Sequence, residues 1–276
     1  MIDAHFHIWQ LARGDYGWLT PELGAIHRDV SLADWRAIRA ASGVTAGVLV
    51  QAAPTEAETR FLLAQARHAP DVLGVVGWVD LAAPDAVQRI RALAADDALV
   101  GLRPMLQDLP DPDWILQDAL TPALQALVDA DLTFDALVLP VHLPRILQLA
   151  QRHPALRIVL DHGAKPAIAA GAWDDWAQGI RQMAALPQVF CKLSGLWTEA
   201  GPGAPVAAVQ RYAGHLLACF GPRRLLWGSD WPVLERAGAY AEWHAAARAL
   251  VPPADQAEVF AGTARRAYRL RDPHGG

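Results

Sequence analysis

Near its start the chain carries Asp3-Ala4-His5-Phe6-His7, where strand alternation would put the His5 and His7 imidazoles on one side of a sheet. Two neutral imidazoles so spaced can hold a divalent cation, and zinc is the usual occupant of nitrogen-rich sites. A His-x-His taken alone is more often a pair of core or surface histidines; here it ends an apolar first strand, which favours the metal. A second feature is Leu-Leu-Trp-Gly-Ser-Asp-Trp-Pro at 225–232, an apolar run that turns at Asp230. A carboxylate at that strand end can reach both a cation on His5 and His7 and an attacking water, taking a proton and later returning it to a leaving group. The competing reading is an Asp that caps the following turn. A third feature is Ile-Val-Leu-Asp-His-Gly-Ala-Lys-Pro at 158–166, where His162 and Lys165 could polarise a carbonyl or bind a substrate oxygen. Asp161 could instead orient a neighbour, and Lys165 could simply be solvated.

Further polar groups punctuate other apolar runs. His142, in Leu-Pro-Val-His-Leu-Pro, is a candidate third metal ligand or substrate contact, or a loop histidine with neither role. Arg103 in Gly-Leu-Arg-Pro, and Lys192 with Ser194 in Cys-Lys-Leu-Ser-Gly, bring cations and a hydroxyl to strand ends. Buried cations are costly unless paired, so these point to an oxygen-rich ligand or a carboxylate partner; for Arg103 that partner could be a substrate carboxylate or Asp80. Gln51 and Trp78 end two more runs as candidate wall residues. The chain has 11 tryptophans, several of them (Trp9, Trp78, Trp197, Trp227, Trp231) at or just past strand-like segments. Core packing accounts for most, and such rings also stack on sugars or planar ligands, which adds Trp231 to the candidate substrate contacts.

Positioning these groups requires many strand ends at one face. Short Val/Leu/Ile-rich runs alternate with segments of helical period, the pattern of parallel strands buried on both faces with helices crossing between them. The runs are Ile2–Ile8, Gly47–Ala52, Val72–Val79, Val100–Leu106, Phe134–Leu139, Arg157–Asp161, Val189–Leu193 and Leu225–Ser229. Eight strand–helix units predict a closed α/β barrel, a (β/α)8 TIM barrel in one domain spanning residues 1–276, with its site at the C-terminal ends of the strands. Ser31 and Gly43 bracket one surface helix, Thr121-Pro122 opens another, and 10–27 and 201–205 read as long loops on the active face. A short frayed tail is expected at 272–276.

With 276 residues and 53% hydrophobic content the chain can bury one large core. A net charge of −5 with no Lys/Arg block excludes the footprint of a nucleic-acid binder and leaves a small-molecule partner. Two cysteines, Cys191 and Cys219, are too few for a disulfide framework or thiolate cluster. Neither a signal peptide nor a long apolar run is visible, so the expectation is a soluble cytoplasmic protein without membrane contact. No helix stripe is apolar enough to define an interface, which leaves a homo-oligomer open.

Taken together, Ile-Asp-Ala-His-Phe-His (2–7), Gly-Leu-Arg-Pro (101–104), Leu-Asp-His-Gly-Ala-Lys-Pro (160–166), Cys-Lys-Leu-Ser-Gly-Leu-Trp-Thr-Glu-Ala (191–200) and Trp-Gly-Ser-Asp-Trp-Pro (227–232) resemble the amidohydrolase 2 family. They are most similar to its branch of metal-dependent hydrolases that includes L-fuconolactonase and related sugar lactonases. The resemblance implies hydrolysis of a cyclic ester, a lactone of a sugar acid of the fuconate, rhamnonate or galactonate type. Water activated by Asp230 would attack the lactone carbonyl while His162, Lys192 and Arg103 hold the substrate. It also implies one divalent metal, zinc, on His5, His7 and Asp230. No lysine or glutamate ends the fourth strand to support a dinuclear centre, and some relatives hydrolyse their activated esters without a metal. Pyrone or muconolactone hydrolysis and metal-dependent decarboxylation are alternatives within the superfamily. A barrel that only binds a ligand is the reading outside enzymes, against which the joint presence of His5, His7, His162 and Asp230 argues. The closing segment 262–270 also resembles the family, with Thr263 where Asn is usual, a change expected to touch helix capping.

Overall fold

The computed structural model of the protein describes residues Met1–Arg271, so the tail expected at 272–276 lies outside the described residues. All eight apolar runs form strands: β1 Ile2–Phe6, β2 Ala46–Val50, β3 Val72–Gly77, β4 Leu99–Leu102, β5 Thr133–Ala136, β6 Ile158–Leu160, β7 Val189–Leu193 and β8 Leu225–Trp227. They lie in chain order in one parallel sheet, with helices on the outside between them. The sheet curls into a nearly closed (β/α)8 barrel. Its seam is joined where His7 N–H donates to Trp231 O at 2.8 Å and Asp230 N–H donates to His5 O at 2.8 Å.

All strands but β7 end earlier than their apolar runs, by four residues in β4, because the chain leaves the ladder at the rim while most of it is still buried. Outward side chains such as Phe6, Leu49, Phe134 and Trp227 join the layer between sheet and helices. Inward ones, among them Ile2, Ala4, Val48, Val76, Val159 and Leu226, form a smaller apolar plug inside the barrel. The final helix, Thr263–Tyr268, packs its Ala264, Ala267 and Tyr268 against this plug and closes that end. Thr263 does not cap that helix as expected: its hydroxyl donates to Pro222 O at 2.7 Å and so ties the helix to the loop before β8.

Local signals were honoured where the chemistry is short-range. Ser31 and Asp34 form a reciprocal capping box on the helix Leu32–Arg39, and Gly43 takes a left-handed conformation (φ 66°) after it. The helix Thr121–Asp129 starts with Pro122 in its first turn. The loop 10–27 contains two short 3-10 turns, Leu11–Arg13 and Pro21–Ile26. Among the described residues no helix is long and apolar enough to cross a membrane.

Candidate active site

A bulge in β1 sets the geometry of the histidine pair. Asp3 pairs with Gly47 and Phe6 with Leu49, so three steps in β1 oppose two in β2. The extra residue lets both Ala4 and His5 face the barrel interior while Asp3 and Phe6 face out, the re-aiming of side chains for which bulges are retained. His7 then follows His5 to the inside, and their Nε2 atoms stand 3.2 Å apart. His7 Nδ1 lies 2.7 Å from Val50 O, a contact only an N–H can make, which leaves the Nε2 lone pair toward the interior.

Asp230 comes from the turn after β8 in a left-handed conformation (φ 60°), uncommon for a residue with a Cβ. Its Oδ1 lies 3.4 Å from His7 Nε2, 3.6 Å from His5 Nε2 and 3.8 Å from His162 Nε2. Burial would raise the Asp230 carboxyl, but His162, His7 and His5 together hold it below the usual carboxylate range. Burial in turn lowers His162 to about 4 against the pull of Asp230 and Asp161. Burial, then Lys192, holds His5 well below its ordinary value. Ionised carboxylate and neutral imidazoles are the states that bind a divalent cation. Two ligands about 2.05 Å from a tetrahedral zinc stand about 3.3 Å apart. The separations among His5, His7 and Asp230 therefore fit one such ion. For His5 to offer its Nε2 lone pair its proton must sit on Nδ1, toward Asp161 Oδ1 at 3.6 Å, against the Lys192 ammonium that approaches the same nitrogen at 3.0 Å as a donor.

His162 stands on an unusual support. Residues 162–165 all have positive φ (53°, 56°, 61° and 48°), one turn of left-handed helix at about 1–2 kcal/mol per non-glycine residue. Trp176 Nε1 donates to Gly163 O at 2.7 Å, and Ser194 Oγ lies 2.9 Å from His162 Nδ1. Backbone strain of this kind persists where the surroundings over-determine it, commonly at functional sites.

Below the histidines lies a layer of buried charge. Lys192 Nζ bridges Asp135 Oδ2 at 2.6 Å and Asp161 Oδ1 at 2.8 Å, and Tyr268 Oη donates to Asp135 Oδ2 at 2.7 Å. Arg103 pairs with Asp161 Oδ2 at 3.2 Å and donates to Gln51 Oε1 and to the Gln51 carbonyl. Asp161 is thus the shared partner of both cations, and together with His5 they hold it well below the usual carboxylate range despite burial.

A cavity of about 200 Å³ opens above these groups, lined by His7, Arg103, His162, Lys165 and Asp230 together with Trp18, Met105, Gln107, Asp108 and Arg236. Several expected contacts stand elsewhere. Lys192 does not reach the cavity, being wholly buried among Asp135, Asp161 and His5. Gln51 and Ser194 are buried supports of Arg103 and His162. Trp231 is buried with its Nε1 on Glu235 Oε1 at 2.7 Å. His142 accepts from Leu139 N–H at 3.1 Å at the start of its helix, away from the cavity. Trp78 lines a neighbouring cavity of about 710 Å³ that shares Trp18, Met105 and Asp108 with the first. Arg103 pairs with Asp161 rather than with Asp80. Sequence reading missed Asp135, Tyr268, Trp18 and Asp3. For Asp135 a signal existed, since a lone carboxylate on the inward parity of an apolar strand demands a buried partner.

Comparison with known proteins follows the same outline. The family described as amidohydrolase matches residues 2–270. The chain is 47% identical over 282 residues to an L-fucono-1,5-lactonase of Burkholderia ambifaria, covering 99% of this chain and 97% of that one. It is 36% identical over 290 residues to an L-fucono-1,5-lactonase of Burkholderia multivorans, covering 99% and 97%. Among solved structures, an amidohydrolase from Burkholderia multivorans with bound zinc superposes with a TM-score of 0.92 at 34% identity, over 98% of this chain and 99% of the other.

Proposed function

The chain belongs to the amidohydrolase family, and from that premise we propose that Asp230, set among three imidazoles, drives hydrolysis of a sugar-acid lactone, L-fucono-1,5-lactone or a stereochemical neighbour. The enzyme is a lactone hydrolase, as its full-length relatives at 47% and 36% identity are. The observation that carries the assignment of the base is the ionised Asp230 carboxylate at the cavity, facing His5, His7 and His162. The cavity, about 200 Å³, is smaller than the roughly 300–1,000 Å³ of sites for drug-sized ligands and suits a single sugar ring.

Asp230 takes a proton from water as that water adds to the lactone carbonyl. With the Ser194 hydroxyl donating to His162 Nδ1, His162 would carry its proton on Nε2 and turn it to the carbonyl oxygen. Arg103 adds a fixed cation at the same side, and preorganised donors of this kind commonly contribute a few kcal/mol each to the oxyanion. The tetrahedral intermediate collapses with cleavage of the ring C–O bond, and Asp230 returns the proton to the departing oxygen. Lys165, Gln107 and Arg236, which line the cavity, would meet ring hydroxyls. A divalent cation, zinc by the donor set, would be held by His5, His7 and Asp230 and would supply Lewis-acid polarisation and a more acidic water. The reading carries with it a role in carbohydrate metabolism in the cytoplasm.

The test is acid release from a panel of aldonolactones, followed with a pH indicator before and after chelation. Activity on the L-fucono lactone, reduced by about 10²-fold or more in Asp230→Asn at unchanged melting temperature, is the expected result. Loss on chelation with recovery on zinc would support the cation as well. Near-normal turnover in Asp230→Asn would overturn the mechanism, and no activity on any lactone would overturn the substrate class.

A further inference from the structure

Asp3 lies two residues before His5 and does not line the cavity, yet its carboxylate is wholly buried and accepts five hydrogen bonds. Oδ1 accepts Ser229 N–H at 2.8 Å and His5 N–H at 3.3 Å. Oδ2 accepts Ser229 Oγ–H at 2.7 Å, Tyr240 Oη–H at 3.0 Å and Trp35 Nε1–H at 3.3 Å. One oxygen thus binds the backbone of His5 and that of the residue before Asp230. On the far side of Asp230, Trp231 N–H donates to Ser229 Oγ at 3.0 Å. Asp230 itself donates its N–H to His5 O at 2.8 Å.

We propose that Asp3 is a positioning residue for the hydrolysis: its carboxylate clamps Ser229 to the β1 bulge and so holds Asp230 in its left-handed conformation, aimed at His5, His7 and His162. Asp takes φ near 60° more readily than most residues, and what selects that conformation here is the holding of the residues on either side, both tied through Ser229 to Asp3. Relaxation would swing the carboxylate away from the three imidazoles, and displacements near 1 Å at a reacting group cost on the order of 10²-fold in rate. An amide cannot replace this carboxylate. Both oxygens meet an N–H that can only donate, from Ser229 and His5 at Oδ1 and from Trp35 at Oδ2, so the NH2 of Asn faces a donor in either orientation, even with the Ser229 and Tyr240 hydroxyls turned to accept.

The inference rests on Asp230 being the proton-moving group, and the experiment separates the two. Asp3→Asn and Ser229→Ala are compared with Tyr240→Phe, which removes a donor from Asp3 without touching the segment 229–231. The expected outcome is a fall in kcat of about 10- to 100-fold in the first two, with KM within about threefold. Tyr240→Phe keeps kcat within about twofold even where its melting temperature falls as far. A merely structural Asp3 would lower all three in step with stability, and that result overturns the proposal, as does Asp3→Asn with near-normal kcat. Ser229→Ala decides the matter where Asp3→Asn fails to fold. Independently of any activity, a crystal structure of either variant in which Asp230 keeps its conformation and its 3.4 Å approach to His7 also overturns it, whereas a swung carboxylate sustains it even with a different substrate.

Discussion

Gly195 offers a perturbation whose two effects can be calculated apart. It has φ 63°, and a Cβ built on it would stand 2.5 Å from His162 Nδ1, 2.6 Å from Cγ and 2.9 Å from Cβ. Alanine there meets two costs. The left-handed backbone takes about 1–2 kcal/mol for any residue with a Cβ. The contact with a rigid ring, whose ordinary separation begins near 3.4 Å, forces His162 to move by roughly 0.9 Å, since its own left-handed turn leaves little rotameric freedom. Stability should therefore fall by a few kcal/mol at most, a loss of roughly 5–10 °C in melting temperature for a chain of this size. Activity should fall by about 10²-fold, because the carbonyl-facing imidazole no longer meets the substrate geometry. Gly171→Ala is the matched control: φ is 67° and nothing lies within 4 Å of the added methyl. It carries the backbone cost without the clash. Initial rates on L-fucono-1,5-lactone and thermal melts of both variants decide the matter. Equal kcat losses in the two, or a Gly195→Ala enzyme within about threefold of the parent, would refute the reasoning.

Two other perturbations follow from the buried charges. Lys192→Met leaves Asp135 and Asp161 without their shared cation, and breaking a buried pair costs about 3–5 kcal/mol; urea titration should show that loss, and a variant as stable as the parent would mean the layer is not held by charge. Glu58 accepts Ala52 N–H at 3.1 Å and also the Ala53 N–H, yet burial raises its carboxyl from 4.5 to about 7. The folded state therefore holds a proton that the unfolded state releases, so stability falls as pH rises through the window from about 4.5 to 7. Glu58→Gln removes that dependence, so the stability of the parent relative to the variant should decline between pH 5 and 8, by up to on the order of 3 kcal/mol. A difference that is flat or rises with pH would contradict the sign.

Eight apolar runs at barrel spacing were readable because parallel strands buried on both faces leave a signal along the chain. Which inward polar residue would touch a ligand was not, and the reason is depth. Lys192 and Arg103 share inward parity, but Lys192 lies inside β7 while Arg103 follows the last residue of β4. Of these two, the residue within the ladder points into the packed interior and the one past its end lines the cavity, while Gln51, Asp161 and Ser194, also just past strand ends, stay buried beneath it. The same difference separates Asp135 from His162 and Asp230. Reading it needs strand ends located to one residue, finer than periodicity resolves. The β1 bulge was equally hidden, since alternation alone assigns Asp3 to the face of His5 and His7, and only pairing with β2 reveals the extra residue. His142 attracted attention by type and was placed by its helix start.

The buried layer also explains why the reactive groups stay in their reactive states. Two cations, Lys192 and Arg103, face two carboxylates, Asp135 and Asp161, so the charges under the histidines nearly cancel. Asp230 is the carboxylate left over, and its close partners are imidazoles that burial keeps uncharged at neutral pH in the cases of His5 and His162. A carboxylate balanced by fixed cations would be a poor base, because protonating it would strand those charges in a medium of low polarity. The rings hold Asp230 ionised, so it stands as an anionic ligand for a cation and as the acceptor of the proton that water sheds on attack. The same unmatched charge bears on release of the product. The lactone is neutral and the acid formed from it is an anion, so ring opening creates repulsion against Asp230 at the point where the bond has just broken.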